Sequence, residues 1–317
     1  MKSVREKLQA KAGQLADVRQ FFLQRDVIEV CTPVLSRASG TDPAIEPLQT
    51  CYTGPGYPSG LQLYLQTSPE LAMKRLLAMD SGSIYQIAPV FRDGEYGPRH
   101  NPEFTLLEWY RTGFDHHDLM DEVAELVMAC LHARLPVEKI SYVELFFKTF
   151  GWNPLEASIG EMKTAALSRD IHAEGLEHRD QWLDLLMSMV IEPTLGRQRL
   201  SFVYDYPASQ ASLARLNAGD PRVASRFELY YQGVELANGF HELTDAVEQR
   251  RRFEEENRQR RQQGQRQLPL DEDFLAVLEN GLPDCAGVAL GLDRLLMLQQ
   301  QGKTTLEETL VFSLKNV

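Results

Sequence analysis

What this chain lacks narrows its function before any motif is read. Its four cysteines, Cys31, Cys51, Cys130 and Cys285, contain no Cys-x-x-Cys pair. That spacing argues against a structural zinc site and for buried, reduced thiols in a cytoplasmic protein. No apolar run approaches the length of a membrane span, and no apolar leader stands at the N-terminus. The expectation is therefore a soluble cytoplasmic chain with no membrane partner. Positive charge is also short. Lys and Arg number 33 against 45 Asp and Glu, a formal net charge of −12. A domain built to grip nucleic acid usually carries a basic excess, so this balance counts against a dedicated RNA-binding module and disfavours tRNA as a partner. The common nucleotide loops are missing as well. Gly302-Lys303-Thr304 looks like the end of a P-loop, but Met297 stands where its first glycine is required. No Gly-x-Gly-x-x-Gly follows a strand, and His241-Glu242 lacks the second histidine of a zincin.

What is present is enough to build a core: 317 residues, 43% of them hydrophobic. Ser3–Arg25 predicts an amphipathic helix, with Val4, Leu8, Ala12, Leu15, Val18 and Phe22 at three- and four-residue steps. Val27–Val30 predicts a strand, followed by Pro33. Further strands are predicted at Leu61–Leu65, Ile84–Phe91, Phe104–Tyr110, Phe202–Tyr206, Arg226–Leu236, Cys285–Leu290 and Val311–Leu314. Helices are predicted at Glu70–Ala78, Asp115–Arg134 and Leu292–Gln301, and a helical pattern fills most of Ile140–Gly196. The polar stretch Ala246–Gln267 holds seven arginines between Arg250 and Arg266. Glu254, Glu255 and Glu256 interrupt them, which suits a solvated helix with mixed ion pairs better than an RNA grip. Hairpins and long excursions join the strands, without a βαβ rhythm, repeats or a linker. This predicts one α+β domain over residues 1–317, with a mainly antiparallel sheet flanked by helices.

The most informative stretch runs from Phe91-Arg92-Asp93-Gly94 through His100-Asn101-Pro102-Glu103-Phe104-Thr105 to Glu108-Trp109-Tyr110. It reads as strand, polar loop, strand. An arginine ends the first strand and an aromatic opens the second, a pairing that can hold a phosphate on the guanidinium and a flat base on the ring. Other segments carry chemistry too: Thr67-Ser68-Pro69-Glu70, Val234 to Leu243 (VELANGFHEL), and Gly287 to Arg294 (GVALGLDR). Arg294 resembles Arg92 in offering an always-charged fork that binds two oxygens. Glu70, Glu108 and Glu242, with Tyr110 and Asn238 as neutral partners, are the residue types a buried ammonium needs. Glu228 and Glu235 lie seven residues apart. On one strand that odd spacing points them to opposite faces. A turn near Gln232-Gly233 would instead bring both to one metal.

In this order, the segments resemble the class II aminoacyl-tRNA synthetases, most closely the lysyl type. His100–Thr105 matches that type's HNPEFT string letter for letter. The other segments resemble its TSPE loop, its E-I-G-N-G-F-S-E-L string and its motif 3. The opening helix, strand and proline resemble motif 1, which builds the family's dimer interface. The resemblance implies a class II catalytic core and a homodimer. It implies an ATP site formed by Arg92 on the α-phosphate, Asp93, Gly94, His100, Asn101, Phe104 stacked on adenine, Glu235, Leu236, Gly291 and Arg294 on the γ-phosphate. Glu228 and Glu235 would hold Mg²⁺. A lysine-like substrate would lie on Ser68, Pro69, Glu70, Glu108, Tyr110, Asn238, Glu242 and Ala289, with Arg92 and Arg294 as the catalytic pair.

Departures from that pattern refine the expectation. Gly94 stands where the family's motif 2 has glutamate, and Glu95 follows it. Ala289 stands where the lysyl type has glycine; its methyl would intrude on the space around the substrate backbone, which suggests a displaced amino group, as in a β-amino acid. The motif 1-like helix begins at residue 3, leaving no room for the family's anticodon-binding OB barrel. Together, and with Leu107-Glu108-Trp109-Tyr110-Arg111, these features resemble the elongation factor P lysyl ligases, paralogues of lysyl-tRNA synthetase. That resemblance implies ATP-dependent activation of (R)-β-lysine or lysine as an adenylate, then transfer to a lysine side chain of elongation factor P. Spacing and composition by themselves support adenylation of a lysine-like acid. The alternatives are a minimal core that aminoacylates tRNA or another RNA, a free-standing amide synthetase such as an asparagine synthetase, and a non-catalytic regulatory paralogue.

Overall fold

Helices and strands form largely where periodicity and capping residues place them. A computed structural model of the chain describes residues 3–300 and 305–317. Its strands are β1 (Ile28–Glu29), β2 (Leu35–Ser36), β3 (Gln49–Tyr52), β4 (Leu61–Leu65), β5 (Ile84–Phe91), β6 (Glu103–Thr112), β7 (Val137–Ser141), β8 (Leu200–Pro207), β9 (Val223–Tyr231), β10 (Val234–His241) and β11 (Cys285–Gly291). Its α-helices are α1 (Val4–Leu23), α2 (Glu70–Ala78), α3 (His116–Leu131), α4 (Tyr142–Phe150), α5 (Ile159–Leu167), α6 (Arg179–Leu186), α7 (Ala246–Gln262), α8 (Glu272–Asn280), α9 (Leu292–Gln299) and α10 (Leu306–Thr309). Capping boxes open α1 (Ser3 with Glu6), α3 (Asp115 with Asp118), α4 (Ser141 with Glu144) and α5 (Ser158 with Glu161), satisfying backbone N–H groups that a bare helix start leaves unpaired.

Eight strands form one sheet in the order β1-β5-β6-β11-β10-β9-β8-β7. The central pairings are antiparallel, and only the edge pairs β1–β5 and β7–β8 are parallel. This bears out the α+β reading. On one face α1, α3 and α9 pack Phe22, Val123, Leu126 and Leu295 against Leu107, Trp109, Phe227 and Val288. On the other face two separate clusters form. Met73 of α2, Phe253 of α7 and Phe274 of α8 cover Ile84 and Cys285. Tyr142 and Phe146 of α4 and Trp182 of α6 cover Val203 and Tyr230. Between them the middle strands stay uncovered, and the site lies there.

Several expectations need correction. The predicted strand Arg226–Leu236 is a hairpin: β9 and β10 turn at Gln232-Gly233, whose φ angles are 52° and 68°. Both lie in the left-handed region used by tight two-residue hairpin turns. Val311–Leu314 forms no strand. Its apolar residues have no sheet edge to pair with, and Phe312 and Leu314 stay exposed. Cys31 and Cys51 are exposed rather than buried; only Cys130 and Cys285 are buried, and all four are free thiols. The end of the predicted Leu292–Gln301 helix and the Gly302-Lys303-Thr304 string lie outside the described residues. No helix among the described residues is long and apolar enough to cross a membrane.

Candidate active site

Sheet register assembles the site. Cross-strand pairing places Glu108 of β6, Ala289 of β11, Asn238 of β10 and Glu228 of β9 in one row. The adjoining row holds Tyr110, Gly287, Phe240 and Arg226. A bulge between Glu235 and Ala237 interrupts β10. Without it Glu235 and Asn238, three residues apart, would point to opposite faces. The turn pairs Glu235 with Tyr230, so Glu235 and Glu228 share the uncovered face, as the hairpin expectation required. Gly287 is a glycine for a steric reason. A Cβ there would sit 2.3 Å from the Tyr110 ring and 2.4 Å from Glu242 Oε1, so these groups converge over bare backbone.

At one end of the cleft, Arg92 donates from Nε to the Thr67 carbonyl (3.2 Å) and from Nη1 to Glu95 Oε1 (3.2 Å), with its guanidinium 5.1 Å from the Phe104 ring centroid. Gly94, at φ 79°, takes the left-handed turn that swings Glu95 back onto Arg92. Asp93 is exposed and tied to Glu46 through its backbone N–H. Arg294 stands in the first turn of α9, where Gly291 is the N-cap. It donates to the Glu235 carbonyl (3.0 Å), to Glu235 Oε2 (3.2 Å) and to His100 Nε2 (2.7 Å). Burial, then the Arg294 charge, lowers the His100 pKa, so its neutral ring can accept that bond. Asn101 is spent on structure: its amide donates to the Glu103 carbonyl (2.6 Å) and accepts from the Leu314 N–H (3.1 Å). Leu236 points its side chain into the core on the opposite face. Lys11 of α1, which no motif marks, bonds both Thr105 and Asp293, and Asp293 Oδ2 accepts from Thr105 N–H (2.7 Å), locking the Phe104 strand to α9.

The two glutamates read as metal ligands differ in what they hold. Glu228 already accepts from Tyr206 (2.6 Å), from Tyr230 and from Arg226 (2.5 Å). Among the described residues the Glu235 carboxylate bonds only Arg294; desolvation and the Glu228 charge raise its pKa. Glu192, which follows α6, joins this patch unannounced by any motif. Burial, then Glu228 and Glu235, push it up to about 7. No cluster of three or more His, Cys, Asp or Glu side chains is arranged to hold a metal ion among the described residues.

The other end is an enclosed acidic pocket, part of a cavity of about 280 Å³ whose walls include Ser68, Glu108, Tyr110, Asn238, Glu242 and Ala289. Glu108 accepts from the Tyr110 hydroxyl (2.6 Å) and the Ser68 hydroxyl (2.7 Å). Ser68 Oγ also accepts from Glu70 N–H (3.0 Å) as α2 begins, with Pro69 as its N-cap. Sequence reasoning also missed Lys74. It is fully buried and bridges Glu70 (2.5 Å) and Glu242 (2.6 Å). So two of the three carboxylates expected to receive a substrate ammonium already share an internal one. Burial raises Glu108 to about 7 and, despite Lys74, raises Glu242 to about 8; the Glu70 charge adds to both. Glu242 Oε1 is buried with no hydrogen-bond partner among the described residues.

This electrostatic arrangement should make the binding of a cation in the pocket pH-dependent. A cation entering beside Glu108 and Glu242 favours their ionised forms, while Tyr110, held well above 10, stays neutral and Lys74 stays charged. Binding near pH 7 should then release protons. Affinity should rise from pH 6 to 8, by up to about tenfold per pH unit for each proton released. Titration calorimetry in buffers of different ionisation enthalpy reads this directly; net proton uptake would contradict it.

Comparison with known proteins gives a consistent picture. Residues 1–316 match the family described as tRNA synthetases class II (D, K and N). The chain is 50% identical over 309 residues to the elongation factor P--(R)-beta-lysine ligase of Vibrio vulnificus (strain YJ016), covering 97% of this chain and 95% of that one. It is 50% identical over 308 residues to the protein of the same name from Pseudoalteromonas translucida (strain TAC 125), covering 96% and 94%. To the Salmonella typhi protein of that name it is 47% identical over 305 residues, covering 96% and 93%.

Proposed function

This chain belongs to the class II tRNA synthetase family (D, K and N), and from that premise we propose that it activates (R)-β-lysine, or a close lysine analogue, with ATP and transfers the acyl group to a lysine side chain of elongation factor P. The observation that carries the substrate reading is the row from Glu108 through Ala289 to Asn238, with Tyr110 and Glu242 beside it and Arg92 on the same cavity wall. Carboxylates at one end suit an ammonium; a guanidinium at the other suits a phosphate.

The substrate carboxylate is already ionised at neutral pH, so its attack on the α-phosphorus needs no general base; pyrophosphate leaves and the acyl adenylate, a mixed anhydride, forms. Arg92 holds the α-phosphate and Arg294 the γ-phosphate, and Phe104 offers its ring to adenine. Mg²⁺ fits as the counter-charge. Glu235 is a hard oxygen donor whose proton affinity is raised by Glu228, so a nearby cation relieves their repulsion. Glu228, with both oxygens engaged, supports it from behind. Glu235 would hold the ion, which when bound would neutralise developing phosphate charge. The acceptor lysine then attacks the mixed anhydride, releasing AMP after losing its own proton. We place this activity in the cytoplasm and in a homodimer. The dimer reading is supported by Leu23, Ile28 and Leu35, exposed apolar residues at 75%, 56% and 47% around the β1 edge and β2.

ATP–pyrophosphate exchange with lysine analogues, followed by labelled transfer to elongation factor P or to tRNA, tests the reading. Exchange without transfer to the protein would return the acceptor to RNA. The methyl of Ala289 gives a second test. Ala289→Gly should raise the ratio of α-lysine to β-lysine activation by about 10- to 100-fold. An unchanged ratio in kcat/KM would sink the idea that this methyl selects the amino position.

A further inference from the structure

The cavity that contains Glu108 and Ala289 extends beyond the sheet to α7, where Glu256 forms part of its wall. No step above uses this carboxylate. It accepts from the Thr41 hydroxyl (2.5 Å), on a loop whose Ser39, Gly40 and Thr41 line the same cavity. Three arginines of α7 that flank Glu256 in sequence have other partners. Arg252 pairs with Glu248 and two carbonyls, Arg258 with Glu255, and the fully buried Arg260 with Glu46 and the carbonyls of Asp42 and Ile45. Glu256 itself has no ion-pair partner among the described residues. Burial raises it to about 7 against the Thr41 bond; the Asp42 and Glu70 charges add to the rise and the more distant Arg252 charge opposes it.

A lysine-like acid brings two ammonium groups and one carboxylate. With its carboxylate toward Arg92 and its side-chain ammonium at Glu108 and Glu242, the second ammonium needs its own counter-charge. Glu70 is the nearest carboxylate by sequence motif, but Lys74 already holds it. The Ala289 methyl stands on the sheet side, so an amino group kept clear of it lies toward the loop and α7. We propose that Glu256 binds this second ammonium and so sets which amino position the enzyme accepts. The proposal rests on the lysine-like reading of the site. Buried Glu242 Oε1, without a hydrogen-bond partner among the described residues, leaves an acceptor at the distal end of the same cavity for the side-chain ammonium, so that the second ammonium must look elsewhere.

The test is ATP–pyrophosphate exchange by the full chain with β-lysine and with 6-aminohexanoic acid, which keeps only the distal amine. The wild type should prefer β-lysine. Glu256→Gln should lower kcat/KM for β-lysine about 10- to 100-fold, mainly through KM, and leave 6-aminohexanoic acid within about threefold. Glu256→Asp should restore much of the loss. Thr41→Val, which removes the loop bond but keeps the carboxylate, should cost β-lysine far less. Equal losses for both substrates, or full reproduction of the loss by Thr41→Val, would overturn the proposal and leave Glu256 a loop anchor. A wild-type chain that exchanges with neither acid overturns the functional reading itself, and the proposal with it.

Discussion

Exchanging Arg92 for alanine is expected to slow adenylate formation by about 10²- to 10³-fold while leaving the fold intact. The magnitude is that of removing one preorganised charge donor from a developing anion. Arg92 is positioned by neutral contacts, the Thr67 carbonyl and the Phe104 ring, and by one ion pair, Glu95, whose side chain is 26% exposed. Glu95 can turn to water when its partner is lost, so the melting temperature should move little. The KM for the amino acid should rise less than kcat falls, because only the substrate carboxylate lies toward Arg92 and the ammonium end of the pocket holds none of its atoms. Lysine at this position should recover part of the rate: it keeps the charge but not the planar fork that binds two oxygens. Pyrophosphate exchange with separate kcat and KM values is the measurement. A loss below tenfold in Arg92→Ala would remove Arg92 from the reacting phosphate.

Most of the site was legible because its residues sit in short, compositionally unusual strings. Arg92, Phe104, Glu108 and Tyr110 lie within one strand–loop–strand segment, and β6 holds Glu108 and Tyr110 on one face by simple alternation. The joins between segments were less legible. Alternation along residues 235–238 places Glu235 and Asn238 on opposite faces, and only the bulge reverses that. Glu192 lies in a region where helical pattern says nothing about which turn faces the sheet. Asn101 carries a motif letter, but its amide is consumed by local bonds. The stretch Val311–Leu314 shows the limit of apolar patterning: a strand also needs a free edge, and the sheet edges are β1 and β7. Arg250–Arg266 resolved only in part into the expected solvated helix pairs, such as Arg251 with Glu248 and Arg258 with Glu255; Arg260 is fully buried against Glu46 and Arg250 pairs with Glu272 of α8.

Lys74→Met is expected to be the most destabilising change at this site, by about 3–5 kcal/mol at alkaline pH. In the sequence, Glu70 and Lys74 look like an ordinary surface pair one helical turn apart. In the fold the ammonium is fully buried and bonds Glu70 and Glu242. Burial would lower its pKa, but Glu242 and Glu70 outweigh that and hold it above its ordinary value, so its contribution is fully present at neutral pH and is lost only in strong base. Methionine fills similar volume but leaves the carboxylates facing one another without a cation. Glu242 is already raised to about 8 with Lys74 present, and without it the proton would be held more tightly still. The folded variant then binds more protons than the unfolded chain, whose glutamates titrate near 4.3. Its stability must therefore fall as pH rises, with the smallest deficit near pH 5.5 and the largest near pH 9. Urea titrations at those two pH values read the difference. A deficit independent of pH would mean that Lys74 acts through packing alone. A deficit that grows toward acid would contradict the assigned charges, because the loss of Lys74 would then lower rather than raise the proton affinity of the folded carboxylates.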